Sequence, residues 1–155
     1  DILVNNAARV PSSPAETERR NRHYAHATTL VPRQSLGVVA SLSDDDFRSV
    51  KVDRWVDDGD VVEACGFKFE IRHVPGHCPG SILFYAADQK IAFTGDAIFK
   101  GSVGRTDLPN GDWNQLLTSI RTRIYTLPDD VVLLPGHGGQ TSVGVEKQTN
   151  PYAKP

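Results

Sequence analysis

Alternation of apolar and polar positions predicts a series of short strands along most of the chain. The predicted strands are Leu36–Val39, Val50–Val56, Val61–Ala64, Phe67–Arg72, Ser81–Tyr85, Lys90–Phe93 and Val131–Leu134. Two pairs of these strands are joined by short turns, at Cys65-Gly66 and at Ala87-Asp88. Short turns between alternating runs are typical of β-hairpins, so the central part of the chain predicts an antiparallel sheet.

The period of the pattern changes between residues 113 and 124, where apolar residues recur with helical spacing. They are Trp113, Leu116, Leu117, Ile120 and Ile124. Asp112 is a natural N-cap, Gln115 lies where a capping box has its second residue, and Pro128 ends the helix. Several strands with one clear helix predict a layered domain of the α+β or α/β class.

The length of 155 residues predicts one domain, with or without a tail. The hydrophobic fraction of 39% is that of an ordinary folded protein. A net charge of −2 predicts neither a nucleic-acid partner nor an anionic membrane surface. No apolar run reaches the ~18 residues of a spanning helix, and no secretion signal opens the chain. Because Cys65 and Cys78 are too few for a disulfide framework, a reduced, cytoplasmic setting is expected.

The first third of the chain has a different composition. Its cations up to residue 35 are all Arg, and Pro and Ser at residues 11–14 break any regular element. We therefore predict a divergent or poorly ordered segment at residues 1–45, followed by a regularly patterned domain part at residues 46–155. The chain contains no Met and opens at Asp1, so we expect a processed or truncated start.

Three loops at predicted strand ends carry the candidate chemistry: His77, Asp96 and His137 each follow a strand and are flanked by Gly or Pro. Taken singly, a histidine after a strand is more often a surface residue, and a Gly-Asp pair is more often a turn. Together, imidazole nitrogen and carboxylate oxygen form a ligand set that suits zinc or iron.

The strings around these residues are more specific than the residues themselves. In order, they are HVPGHCPGSILFY, IAFTGDAIFKGSVGRTDLPNGD and LLPGHGGQTSVGVEKQTNPY, with the predicted helix between the last two. Over Arg54 to Tyr152 the chain resembles the metallo-β-lactamase-fold superfamily. Within it, the chain is most similar to the short, single-domain hydrolases of the glyoxalase II (hydroxyacylglutathione hydrolase) type.

The resemblance implies a four-layer αββα sandwich with a site for up to two metal ions at one edge. His77 would bind one ion, His137 the other, and Asp96 would bridge them. The implied metal is zinc, with iron or manganese as alternatives. The implied reaction is hydrolysis of a small-molecule acyl thioester or ester by a metal-bound hydroxide.

The same resemblance places Arg105, Thr106 and Asp107, the family's GRTD loop, beside the site. Cys78 is either a soft ligand or reactive thiol next to the metal loop, or a small buried residue. Cys65 is expected to be structural, and His73 to be a strand residue rather than a ligand.

The family's first metal motif, His-x-His-x-Asp-His, is absent from residues 1–76, whose histidines are His23, His26 and His73. Three of the seven family ligand positions therefore remain. Because paired ions in such sites lie ~3.5–4 Å apart, the two imidazoles would face different ions. Each ion would hold two protein ligands, so weak or partial metal occupancy and little or no hydrolysis by this chain are expected.

Three functions stay open from the sequence. The first is the metal-dependent hydrolase, and the second is a truncated or degenerate scaffold that acts as a binding module. The third is a dehydrogenase-like protein, since residues 1–8 resemble a strand end of short-chain dehydrogenases, although the Tyr-x-x-x-Lys pair of that family is missing. If layers of the sandwich are missing, an apolar sheet face would be exposed and would favour a homo-oligomer.

Overall fold

The computed structural model describes residues 2–4, 28–32, 54–107 and 110–155, and its side chains are described from residue 55 onward within these ranges. The strands are β1 (Ile2–Val4), β2 (Thr28–Pro32), β3 (Arg54–Val56), β4 (Val61–Ala64), β5 (Phe67–His73), β6 (Ile82–Ala86), β7 (Ile91–Gly95), β8 (Ile98–Phe99), β9 (Ser102–Val103), β10 (Val132–Pro135) and β11 (Thr141–Ser142). The helices are α1 (Trp113–Ser119), continued by a π-helical turn (Ile120–Ile124), and α2 (Val143–Thr149).

A six-stranded mixed sheet in the order β11-β10-β7-β6-β5-β4 forms the centre of the described region. The strands β4 to β7 are antiparallel neighbours, as the two predicted hairpins require. β10 then joins β7 in parallel, with Pro135 opposite Gly95. The carboxyl ends of β7 and β10 therefore lie side by side, which brings the loops that follow them together.

Each face of this sheet carries a core, and side chains alternate between the two faces along each strand. On β6 all five residues are buried: Leu83 and Tyr85 join the core beneath the helix, and the other three join a second core. The second core contains Val56, so β3 packs over the face opposite to α1. A helical layer, the six-stranded sheet and the strand β3 thus follow one another, in agreement with the predicted α+β sandwich.

The predicted helix is confirmed, and its start at Asp112 is an N-cap whose carboxylate accepts a hydrogen bond of 2.9 Å from the amide of Gln115. Its α-helical part ends at Ser119 and is followed by the π-helical turn, which the sequence pattern did not predict. In this wider turn the amide of Tyr125 donates to the carbonyl of Ile120 at 2.8 Å. Consecutive residues, Ile124 and Tyr125, are both buried there.

Some sequence predictions fall outside the described residues, among them the strand Leu36–Val39 and most of the segment 1–45. Within that segment only residues 2–4 and 28–32 are described, and they form β1 and β2, two strands that the pattern did not predict. β2 lies between β1 and β3 and pairs in parallel with both; β3 is the described end of the predicted strand Val50–Val56.

Two phenylalanines at the margin of the second core are partly exposed, and the exposed apolar sheet face expected from the sequence stays a prediction. Phe67 is 41% exposed and Phe93 is 42% exposed, and both rings contact the buried Phe69 edge-on. The homo-oligomer expected from such a surface stays a prediction. Among the described residues, no helix has the length and apolar character needed to cross a membrane.

Candidate metal centre

The His77 loop follows β5 and is hydrogen-bonded to both ends of α1. The amide of Asp112 donates to the carbonyl of Gly76 at 2.8 Å, and the hydroxyl of Ser119 donates to the carbonyl of Pro75 at 2.7 Å. Gly76 has a φ of +132°, and a Cβ there would lie 2.3 Å from the backbone of Leu116. Only glycine therefore allows the loop to pack this closely against the helix.

The imidazole of His77 is oriented by the main chain. Its Nδ1 lies 2.7 Å from the carbonyl oxygen of Arg105, and since a carbonyl can only accept, Nδ1 carries the proton. In the neutral ring the lone pair is then on Nε2, which lies 3.7 Å from Oδ2 of Asp96. A histidine that binds a metal usually donates its other ring N–H to a carbonyl or carboxylate, and the Nδ1 contact of His77 with the Arg105 carbonyl is of this kind.

Asp96 lies between the two imidazoles. It follows β7, and the neighbouring loop is joined to this strand end by a hydrogen bond of 2.9 Å from the amide of Gly136 to the carbonyl of Gly95. The Nε2 of His137 is 3.5 Å from Oδ1 of Asp96, whereas Oδ2 faces His77. Each carboxylate oxygen thus faces a different imidazole, which is the geometry expected of a bridging ligand.

These distances fit metal coordination better than direct hydrogen bonds. At 3.5 and 3.7 Å the nitrogen–oxygen pairs are longer than a good hydrogen bond. Two donor atoms on one tetrahedral zinc, at bond lengths of ~2.0–2.2 Å, lie ~3.3–3.6 Å apart. The His137–Asp96 distance of 3.5 Å falls within this range, and the His77–Asp96 distance of 3.7 Å lies just beyond it. Within the described part of the chain, there is no group of three or more His, Cys, Asp or Glu side chains that could hold one ion.

The two imidazoles differ in how firmly they are held. The side chain of His77 is 13% exposed, whereas that of His137 is 78% exposed. The ring of His137 lies against Phe99, with centroids 5.9 Å apart. The imidazole of His77 is consequently the more enclosed of the two, whereas the ring of His137 is mostly exposed and contacts Phe99 of β8.

The GRTD loop lies beside the site, as predicted, through the backbone of Arg105. The guanidinium of Arg105 forms two hydrogen bonds of 2.7 Å to the carboxylate of Asp107. This contact raises the pKa of Arg105 and lowers the pKa of Asp107, and both side chains are exposed. Thr106 is half-buried. The side chain of Arg105 is therefore turned to Asp107, while its carbonyl serves His77.

Cys78 is completely buried, and its thiol is 3.0 Å from the hydroxyl of Ser81. Burial raises the pKa of this thiol, despite the opposing hydrogen bond from Ser81. The thiolate is the form that binds metals and attacks electrophiles, so the structure favours the small buried residue over the reactive thiol. His73 ends β5, with Nε2 2.6 Å from the carbonyl of Pro79, and Cys65 lies in the exposed β4–β5 turn.

Sequence reasoning singled out the ligand candidates but missed the residues that hold them. Gly104 is one, because a Cβ there would lie 1.9 Å from the carbonyl oxygen of Asp96. Gly136 is another, because its Cβ would lie 2.4 Å from Oδ1 of Asp96. Both glycines occur within the motif strings, which was the available signal. Phe99 gave no signal beyond its place in the same string.

Comparisons with known proteins agree with this fold. Residues 7–137 match the metallo-beta-lactamase superfamily, which extends the resemblance well before Arg54. The chain belongs to the metallo-beta-lactamase superfamily, a superfamily of metallo-hydrolases whose members bind metal ions. The dehydrogenase hypothesis rested on residues 1–8 alone, and the family match does not support it.

Two curated relatives are similar to part of this chain. The chain is 48% identical over 101 residues to the hydroxyacylglutathione hydrolase GloC of Haemophilus influenzae, covering 64% of this chain and 48% of the relative. It is 43% identical over 86 residues to the probable metallo-hydrolase YqgX of Bacillus subtilis, covering 56% of this chain and 41% of the relative. The chain thus spans about half the length of the curated relatives it matches.

Two solved structures share the fold. The BLEG-1 B3 metallo-beta-lactamase superimposes with a TM-score of 0.74 at 30% identity, over 83% of this chain and 66% of that protein. TTHA1623, in a di-iron-bound form, superimposes with a TM-score of 0.66 at 30% identity, over 81% of this chain and 65% of that protein.

Proposed function

We propose that His77, Asp96 and His137 form the carboxyl-terminal part of a two-metal site in a hydrolase that cleaves acyl thioesters of the hydroxyacylglutathione type. The observation that carries this proposal is the position of Asp96, whose two oxygens face two different imidazoles at 3.7 and 3.5 Å. The substrate class comes from the similarity to a hydroxyacylglutathione hydrolase. Zinc is the proposed metal, with iron or manganese as alternatives.

A bound divalent cation would supply an activated water and polarise the carbonyl of the substrate. The residues of this chain would hold the cation and orient its ligand atoms. His77 is fixed by the Arg105 carbonyl with Nε2 turned to the site, and Asp96 offers one oxygen to each side. Because Asp96 contributes to both halves, its loss should affect both ions, whereas loss of either histidine should weaken one half first.

The proposal includes a limit on affinity. An imidazole and a carboxylate oxygen provide two protein ligands to each ion, whereas catalytic zinc sites usually have three. We propose that efficient hydrolysis needs ligands beyond these three residues. Added at high concentration, zinc should therefore bind this chain weakly, and turnover should be slow.

Hydrolysis of a hydroxyacylglutathione thioester, followed by loss of thioester absorbance, tests the proposal directly. The chain is assayed after reconstitution with zinc, iron(II) or manganese, beside Asp96→Ala and the control Asp88→Ala, which alters an exposed turn residue. Slow metal-dependent turnover that is retained in Asp88→Ala and abolished in Asp96→Ala is expected. Activity that survives in Asp96→Ala, or none with any metal in folded protein, would contradict the proposal.

A second candidate function is a scaffold that binds a partner without catalysis. It is favoured by the finding that no described group of three His, Cys, Asp or Glu side chains could hold an ion. The melting temperature separates the two candidates, because a ligand that binds only the folded state must stabilise it. The hydrolase predicts a zinc-dependent rise that His77→Ala and His137→Ala reduce, and the scaffold predicts no rise in any of the three proteins.

A further inference from the structure

A buried carboxylate on α2 has no role in the site as described so far. Glu146 is completely buried, and its two oxygens accept three hydrogen bonds. The donors are the hydroxyl of Thr141 at 2.6 Å, the amide of Gly101 at 3.0 Å and the side-chain nitrogen of Asn150 at 2.8 Å. A buried carboxylate is costly unless it is well hydrogen-bonded, so this network requires all three donors to keep their positions.

Asn150 completes the network one helical turn later. It is also completely buried, and its side-chain nitrogen donates to the carbonyl of Ser102 at 3.0 Å as well as to Glu146. Its side-chain oxygen accepts hydrogen bonds from the amides of Tyr152 and Ala153. Glu146 and Asn150 thus hold two consecutive backbone groups, those of Gly101 and Ser102.

Gly101 and Ser102 lie at the tip of the hairpin formed by β8 and β9, and this hairpin touches both imidazoles. Phe99, on β8, lies against the ring of His137. Arg105, two residues after β9, accepts the Nδ1 hydrogen bond of His77. The amide of Gly104 donates to the carbonyl of Ala97 at 3.2 Å, next to Asp96. One short hairpin therefore positions all three candidate ligands.

The hairpin has little stability of its own. Its ladder comprises two residue pairs, Ile98 with Val103 and Phe99 with Ser102. An isolated two-stranded hairpin is at best marginally stable in water, so its position depends on what holds it. Ile98 anchors the base in the core beneath α1, and the network on α2 anchors the tip.

We propose that Glu146 and Asn150 are positioning residues for the metal centre, acting through the β8–β9 hairpin on His77 and His137. The inference rests on the proposed function for its biological meaning, because it assigns a role toward that site. The contacts that link Glu146 and Asn150 to the two imidazoles through the hairpin need neither metal nor substrate. It can therefore be tested separately from hydrolysis.

Three substitutions and one control separate positioning from general stabilisation. Glu146→Gln should retain the network, because its amide oxygen can replace Oε2 while its NH2 donates to the Thr141 hydroxyl. Glu146→Leu keeps a similar volume and removes both acceptors. Asn150→Asp replaces the donor with an oxygen that faces the Ser102 carbonyl and Glu146. Lys147→Gln is the control on the same helix, where it breaks the ion pair with Asp129 only.

The readouts are two NMR signals of the metal-free, full-length chain. One is the Nδ1-bound ring proton of His77 and its protection from exchange, and the other is the proton–proton contact between the rings of Phe99 and His137. Both should persist in the wild type, Glu146→Gln and Lys147→Gln. Both should be lost in Glu146→Leu and Asn150→Asp, while the amide resonances of β5 and β6 stay in place.

Retention of both signals in folded Glu146→Leu or Asn150→Asp would overturn the proposal. If those variants fail to fold, hydrogen exchange in the wild type decides. If the hairpin opens as a unit, the Gly101 amide and the His77 ring proton become exposed in the same event. The proposal therefore predicts the same opening free energy for both protons. A freely exchanging ring proton beside a protected Gly101 amide would overturn it. Absence of hydrolysis in the wild type would count against the proposed function and leave these readouts unaffected.

Discussion

Gly136 lies so close to Asp96 that a Cβ atom added to it would be 2.4 Å from the carboxylate oxygen Oδ1. That oxygen is the one that faces His137. The glycine before the histidine therefore provides the space in which the carboxylate lies between the two imidazoles. In the Pro-Gly-His motif at the end of β10, the histidine thus supplies the imidazole and the glycine supplies the space for the carboxylate.

Gly136→Ala should displace the carboxylate and weaken zinc binding about 10- to 100-fold, the usual effect of disturbing the residues around a ligand. Calorimetric titration with zinc measures the change. Gly139→Ala is the matched control in the same loop, because a Cβ there meets nothing within 4 Å. Equal zinc affinities in the two variants would show that Asp96 is not a ligand held by this contact.

Gly76→Ala should lower the free energy of unfolding by about 2–4 kcal/mol, because its Cβ meets the backbone of Leu116. Gly66→Ala shares the positive φ but meets nothing within 4 Å, so it should cost only the backbone strain of about 1–2 kcal/mol. Urea unfolding of both variants measures the difference. Equal losses would mean that loop and helix do not pack as closely as described.

Cys78 should resist modification in the folded protein, since it is completely buried and burial raises the pKa of its thiol. Cys65 is exposed and should react first. Iodoacetamide labelling at neutral pH, followed by mass spectrometry of peptides, distinguishes the two thiols. Labelling of Cys78 at a rate comparable to Cys65 in folded protein would restore the reactive-thiol hypothesis.

Tyr125 should make stability fall at alkaline pH. Burial, reinforced by the charge of Glu146, raises its pKa from 10.0 to about 12 in the folded protein. The unfolded chain therefore loses this proton first, and the phenol's contribution to stability is lost progressively above pH ~10. At about 1.4 kcal/mol per pKa unit, the total is about 2–3 kcal/mol.

Urea unfolding of the wild type and Tyr125→Phe at pH 8, 10 and 12 measures this dependence. At pH 8 the wild type should be more stable by about 1 kcal/mol, because its hydroxyl donates to the carbonyl of Ala153. The advantage should shrink or reverse by pH 12. A difference that stays constant with pH would show that the phenol titrates alike in both states.

The alternating pattern predicted the centre of the sheet, since β4 to β7 and β10 each bury a recognisable apolar set. It also predicted a helix over the region of α1 and the turn that follows it, where Leu116, Ile120 and Ile124 belong to one core. The motif strings then located His77, Asp96 and His137 at strand ends. Their convergence followed from the parallel pairing of β7 and β10, which no local pattern contains.

The pattern failed where polar residues occupy buried positions. On α2 the inward residues include Val143 and Glu146, and Asn150 follows at the C-cap, so hydrophobic periodicity is lost although the face is buried. The strands β8 and β9 have two residues each, too few for any period. The pattern missed α2 because its buried polar side chains hydrogen-bond to one another and form no apolar stripe. Yet α2, β8 and β9 are the elements that contact the loops of the candidate ligands.

The most direct test is anomalous diffraction at the zinc absorption edge from crystals of this chain grown with zinc. The account predicts anomalous density within ~2.0–2.2 Å of an Asp96 oxygen and of Nε2 of His77, His137 or both. Density elsewhere at saturating zinc, with the Asp96 carboxylate uncoordinated, would contradict it.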